Sequence, residues 1–306
     1  MRTQLWLGLG IVLMPQSFMT AAESEEVTAF PPRVENRLRA QLQRLQPEIH
    51  AQTDALAAIV DPNVEVIRQA GPNNAYTIFQ PRNMNNGRHG LVTWGNGTGA
   101  RPDVYAPFLR HLASQGLIVI ASNVTNTGTG VEMLDGVRWM KADSGYSGRL
   151  NGKTVAMGHS QGGTGAFRAA KDPLINSSVL INPFVPFPGT IPDTFGPCFL
   201  IAGERDSIVP SDIVERAFNA VPGQKKAVFA IARGQNHFGA ILSARPYAAA
   251  ITKWCLAELQ DDGNARAEFE RILQNHNEWP IVFRKPLVQA TVAPVVPSAA
   301  SPGAAE

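Results

Sequence analysis

Residues Lys153–Ala170 read KTVAMGHSQGGTGAFRAA, and the fold follows from how this stretch divides. Lys153 to Met157 is a short, mostly apolar run suited to a buried strand. Ala166, Phe167, Ala169 and Ala170 recur as in a helix. Between them Gly158, His159, Ser160, Gln161 and Gly162 form a G-x-S-x-G turn. A strand passing into a helix through such a turn is a nucleophile elbow: the flanking glycines avoid clashes, and the serine is held in a strained backbone conformation with its hydroxyl above the sheet edge. In a chain with 27 glycines the bare pattern arises easily by chance, so the strand-turn-helix context carries the inference.

A serine hydroxyl is a poor nucleophile at neutral pH and needs a base within hydrogen-bond reach, which in turn needs an orienting carboxylate. Both follow downstream. The apolar run 198–203 leads into Glu204-Arg205-Asp206-Ser207, which places Asp206 beyond the carboxyl end of a strand, ahead of the competing Glu204 and Asp212. The run 226–233 leads into Gly234-Gln235-Asn236-His237-Phe238-Gly239, and His237 alone among the 6 histidines follows the last expected strand. The order Ser160, Asp206, His237 is that of the α/β-hydrolases rather than of other triad folds. The oxyanion donors are then expected to be the N–H of Gln161, just after the nucleophile, and an N–H from the loop Trp94-Gly95-Asn96-Gly97-Thr98-Gly99, with Asn96 nominated and Gly97 the alternative. Trp94, Tyr105, Phe184 and Phe238 are aromatic candidates near the cleft, and Trp94, Phe184 and Phe238 are taken as substrate-binding.

Working outward, strand-like runs occupy 63–69, 75–80, 90–95, 117–123, 153–158, 178–182, 198–203 and 226–233. Helical patterns fall near 103–115, 130–142, 161–171, 211–220 and 243–259. This alternation predicts a mostly parallel eight-stranded sheet with helices on both faces. Val34, Leu38, Leu42, Leu45 and Ile49 recur at helical spacing in an arm over 23–61, with a break expected near Pro47. Arg2 followed by the apolar stretch Leu5 to Met14 and then Thr20, Ala21 and Ala22 reads as a secretory signal peptide over 1–22, shorter than a membrane span. Residues 288–306, rich in Ala and Pro, read as a disordered tail. The hydrolase domain is thus expected over 62–287.

The 306 residues carry a formal charge of +2 and are 44% hydrophobic and 17% charged, a balance that argues against nucleic-acid binding and against intrinsic disorder. No metal-binding spacing and no phosphate or dinucleotide loop is present, so neither a metal nor another cofactor is expected. The 2 cysteines, Cys198 and Cys255, could form a bridge after export or remain buried thiols.

With elbow, acid loop, histidine loop and glycine-rich loop in place, the chain resembles the α/β-hydrolase superfamily over Val64 to Gln260. More narrowly it is similar to compact bacterial esterases of the cutinase, PET-hydrolase and dienelactone-hydrolase-like groups. Gly158–Gly163, ERDSIVP at 204–210 and HLASQGLIVI at 111–120 carry that likeness. The resemblance implies a lidless or lightly covered cleft and hydrolysis of small or polymeric carboxylic esters by Ser160, His237 and Asp206. It also implies that Phe184 offers an aromatic wall to the acyl group. Those polyester hydrolases usually have an aromatic residue where Asn96 stands, Met where Gln161 stands, and often a C-terminal disulfide. A lactonase, amidase or glycan deacetylase using the same residues, or a binding protein on this scaffold, are the alternatives.

Overall fold

The computed structural model describes residues 32–58, 63–84, 87–142, 145–185, 187–242 and 247–286. The expected signal peptide and tail lie outside these residues. The chain runs α1 (Pro32–Ala58), β1 (Val64–Ala70), β2 (Tyr76–Pro81), β3 (His89–Gly95), α2 (Ala106–Ser114), β4 (Ile118–Ser122), α3 (Val131–Ala142), β5 (Leu150–His159), α4 (Gln161–Ala169), β6 (Ser177–Ile181), β7 (Cys198–Gly203), α5 (Ser211–Ala220), β8 (Ala227–Ala232), a short α6 (Gly239–Leu242), α7 (Tyr247–Gln260), α8 (Gly263–Leu273) and β9 (Ile281–Lys285).

The strands form one sheet in the order β1-β2-β4-β3-β5-β6-β7-β8-β9. Pairing is parallel from β4 through β8 and antiparallel at β1-β2, β2-β4 and β8-β9. The fold is that of an α/β-hydrolase. Among the described residues it has nine strands rather than the eight expected: β9 adds an antiparallel edge against β8, where Phe283 stacks on Phe229 at 6.0 Å.

Alternation along the strands sends side chains into two apolar layers. Val92, Trp94, Val155, Met157, Phe199 and Ile201 face α2, α7 and α8. Leu91, Ala156, Leu180, Cys198 and Leu200 face α3, α4 and α5. Both faces of the central strands are therefore buried, which is why their sequences read as continuous apolar runs.

β3 connects to β4 on one side, and β5 pairs with β3 on the other. The strand order reverses there, and such a switch point opens a crevice at the carboxyl ends of the strands, where α/β sheets place their sites.

Among the described residues no lid is inserted between the strands over the crevice. Cover comes instead from α1, whose Leu38 (3% exposed) and Leu42 (7%) are buried while Arg33, Arg37 and Arg44 face outward. Burying a leucine side chain stabilises by about 1.5–3 kcal/mol, so these two alone hold the helix down by a few kcal/mol. The expected break at Pro47 does not occur; α1 runs through it. Pro47 is exposed, so the carbonyl it leaves unpaired one turn earlier can turn to water.

Candidate active site

β5 delivers Ser160 to the crevice. Its φ of 56° and ψ of −121° lie in a region that disfavours side chains, as an elbow requires. Space dictates the glycines on either side. A Cβ on Gly158 would stand 2.2 Å from the carbonyl oxygen of Gly162, and one on Gly162 would stand 2.1 Å from that of Gly95.

The loop after β8 brings His237 over the serine, and the loop after β7 brings Asp206 behind it. His237 Nε2 lies 2.8 Å from Ser160 Oγ, and His237 Nδ1 lies 2.7 Å from Asp206 Oδ2. Asp206 Oδ1 accepts the N–H groups of Ile208 and Val209, both at 2.8 Å. Fully supplied with donors, this buried carboxylate accepts the hydrogen bond from Nδ1–H, which leaves Nε2 of the imidazole to accept from the serine hydroxyl. The competing carboxylates are engaged elsewhere: Glu204 accepts the N–H of Gly234 at 2.7 Å, and Asp212 pairs with Arg216 at 3.2 Å.

A second network holds the histidine loop. Gly97 N–H donates to Tyr105 Oη at 3.0 Å, so the tyrosine proton points to His159 Nδ1, also at 3.0 Å. His159 must then carry its proton on Nε2, which donates to the carbonyl oxygen of His237 at 2.7 Å. Burial, reinforced by repulsion from His237, pushes the His159 pKa down to about 3, although the bond to the His237 carbonyl pulls the other way. Its imidazole is thus neutral. Asn182, at φ 45°, adds a bond to the same carbonyl at 3.3 Å and takes the N–H of Gly203 at 2.9 Å. Asn182 and Tyr105 had not been expected to take part in positioning. The signal for Asn182 was an Asn directly after an apolar strand, a residue that tolerates left-handed backbone.

The aromatic and oxyanion expectations need revision. Trp94 is wholly buried beneath the loop, packed on Tyr105 at 4.8 Å and Phe108 at 5.8 Å, and is a core residue rather than a cleft wall. Asn96 is also wholly buried: its amide donates to the carbonyls of Ser122 and Val124 at 2.6 and 3.0 Å, which fixes the loop from below. Gly97 and Thr98, not Asn96, line the space beside Ser160. Phe184 is half-buried against the layer containing α4, while Phe238 lines the site and meets the His237 ring edge-on at 5.5 Å. Gln161 opens α4, where backbone N–H groups have no intrahelical acceptor.

The site is nearly closed. Ser160 is 1% exposed and His237 2%. The cavity around them is only about 10 Å³ and is bounded by Leu38 and Leu42 of α1 together with Thr98, Tyr105 and Phe238. A more open hollow of about 630 Å³ lies at the opposite end of the sheet, beside His89 and Asn151, remote from this chemistry.

Sheet order, elbow and the Ser–His–Asp hydrogen-bond chain together place a serine, a histidine and an aspartate in contact at the carboxyl end of an α/β-hydrolase sheet. The chain is similar to a bis(hydroxyethyl) terephthalate hydrolase from Streptomyces coelicolor, 24% identical over 213 residues that make up 67% of this chain and 68% of that relative. No protein-family model matches it.

Proposed function

We propose that the protein is a secreted serine hydrolase that cleaves carboxylic esters through an acyl-enzyme. The observation that carries this is the continuous hydrogen-bond chain Ser160–His237–Asp206, with links of 2.8 and 2.7 Å, at the carboxyl end of the sheet. Ser160 attacks the ester carbonyl while His237 takes its proton. Asp206 holds the imidazole tautomer and stabilises the imidazolium; His237 then protonates the leaving alcohol, and water releases the acyl group by the same route.

The developing oxyanion is received by backbone donors. Gln161 N–H is one. For the other, Gly97 N–H is already given to Tyr105, whereas Thr98 N–H finds no acceptor among the described residues and Thr98 borders the cavity, so we assign the role to Thr98 rather than Asn96. The similar hydrolase is named for a terephthalate diester, which favours small aromatic esters as substrates to try first. Secretion rests on the Arg2–Ala22 pattern. Among the described residues no helix is long and apolar enough to cross a membrane.

Labelling of the mature protein by a fluorophosphonate probe tests the assignment. Ser160→Ala should abolish labelling and lower kcat on p-nitrophenyl esters by about 10⁴ or more. A folded wild-type protein that neither labels nor turns over any ester would sink the proposal.

A further inference from the structure

Of the described elements beyond the sheet and its covering helices, only α1 reaches the ester site, through two leucines one turn apart. Leu38 and Leu42 border the same cavity, only about 10 Å³, as Ser160, His237 and Phe238. Any acyl or alcohol group attached to the carbonyl that Ser160 attacks must therefore press on them or displace them. The cavity also has an unmet polar demand: Thr98, 8% exposed, has a buried Oγ1 that finds no hydrogen-bond partner among the described residues. An unpartnered hydroxyl beside a leucine roof suits a compact ester that carries a polar atom close to its carbonyl.

We propose that α1 is a size-selecting roof, with Leu38 and Leu42 as specificity-determining residues that touch the bound ester and restrict it to short groups. The proposal rests on the esterase reading above. The roof differs from a merely structural contact in one respect: changing its volume in opposite directions should shift selectivity in opposite directions. One methylene more or less in an apolar pocket changes kcat/KM by about 10-fold or more, so the effect is measurable.

The experiment compares kcat/KM for p-nitrophenyl acetate and octanoate in the full chain. Leu42→Ala should raise the octanoate-to-acetate ratio about tenfold or more, Leu38→Ala should raise it similarly, and Leu42→Phe should lower it. Arg44→Ala, on the exposed side of α1, should leave it within about twofold. If the alanine variants fail to fold, Leu42→Val and Leu42→Phe carry the comparison, because both keep an apolar side chain at that position. Retained fluorophosphonate labelling with an unchanged ratio, or a shift in the same direction for larger and smaller side chains, would overturn the roof alone. Absence of labelling and turnover in every folded form would overturn the esterase reading and the roof with it.

Discussion

Ser160 was legible from five residues because an elbow is local: strand, two glycines and helix lie within one stretch of chain. His159, its neighbour, was not, because its role depends on Tyr105 and His237 arriving from distant parts of the sequence. The structure makes it a neutral linker, and that has a consequence for stability. Its folded-state pKa lies at about 3, against about 6.5 in an unfolded chain. Between those values the unfolded chain binds a proton that the folded protein refuses. The contribution is therefore complete above pH 6.5 and is lost as pH falls toward 3, at up to about 1.4 kcal/mol per pH unit. Urea melts at pH 7 and pH 4.5 should show wild type losing more stability on acidification than His159→Gln, which keeps a donor for the His237 carbonyl. Equal losses would contradict a neutral His159. Tyr105→Phe probes the other end of the link: it strands the buried Gly97 N–H, at a cost of about 1–3 kcal/mol in the same melts. It should also lower kcat more than it raises KM, because the loop bearing Thr98 and the carbonyl of His237 both lose a constraint.

At the scale of elements, the turn from β5 into α4 works only if it can pass very close to the end of β3. Gly162 makes that contact with backbone rather than with a side chain that could rotate away, since its added Cβ would meet the Gly95 carbonyl carbon at 2.2 Å as well as the oxygen at 2.1 Å. Gly162→Ala should therefore destabilise by about 3 kcal/mol or more, read from the urea midpoint at constant slope, and a loss under about 1 kcal/mol would show that the turn can give way. The central strands were readable because burial on both faces demands uninterrupted apolar residues. Two of the elements missed, β9 and α8, obey other rules. β9 is an edge strand, exposed along part of its length, and needs no such run. α8 is fixed at its start by Asp262, whose side chain accepts the N–H groups of Asn264 and Ala265, and it shows only a short apolar stripe, with Ala265, Phe269 and Leu273 buried. For α1 the spacing of Val34, Leu38, Leu42 and Leu45 announced a buried face. It could not announce what that face covers, because the partner surface is assembled from loops that meet only at the crevice.

Across the whole molecule the sheet is a partition, and it settles the cysteine question that composition left open. Cys198 points from β7 into the layer with α3, α4 and α5, whereas Cys255 points from α7 into the layer on the other face. Both are free and fully buried. Sulfurs on opposite sides of a hydrogen-bonded sheet cannot come within about 2 Å without the strands between them parting, so passage through an oxidising compartment offers them no partner in the same chain. Burial also raises both thiols, Cys198 to about 12, so the reactive thiolate is scarce at neutral pH. The expected result is two slow thiols: an aromatic disulfide reagent should titrate almost none in the native protein and both after denaturation in guanidinium. Reductant should leave the melting temperature unchanged. Fewer than two thiols in denatured, unreduced monomer, or a melting temperature that falls on reduction, would mean that the two apolar layers are not separated as the sheet requires.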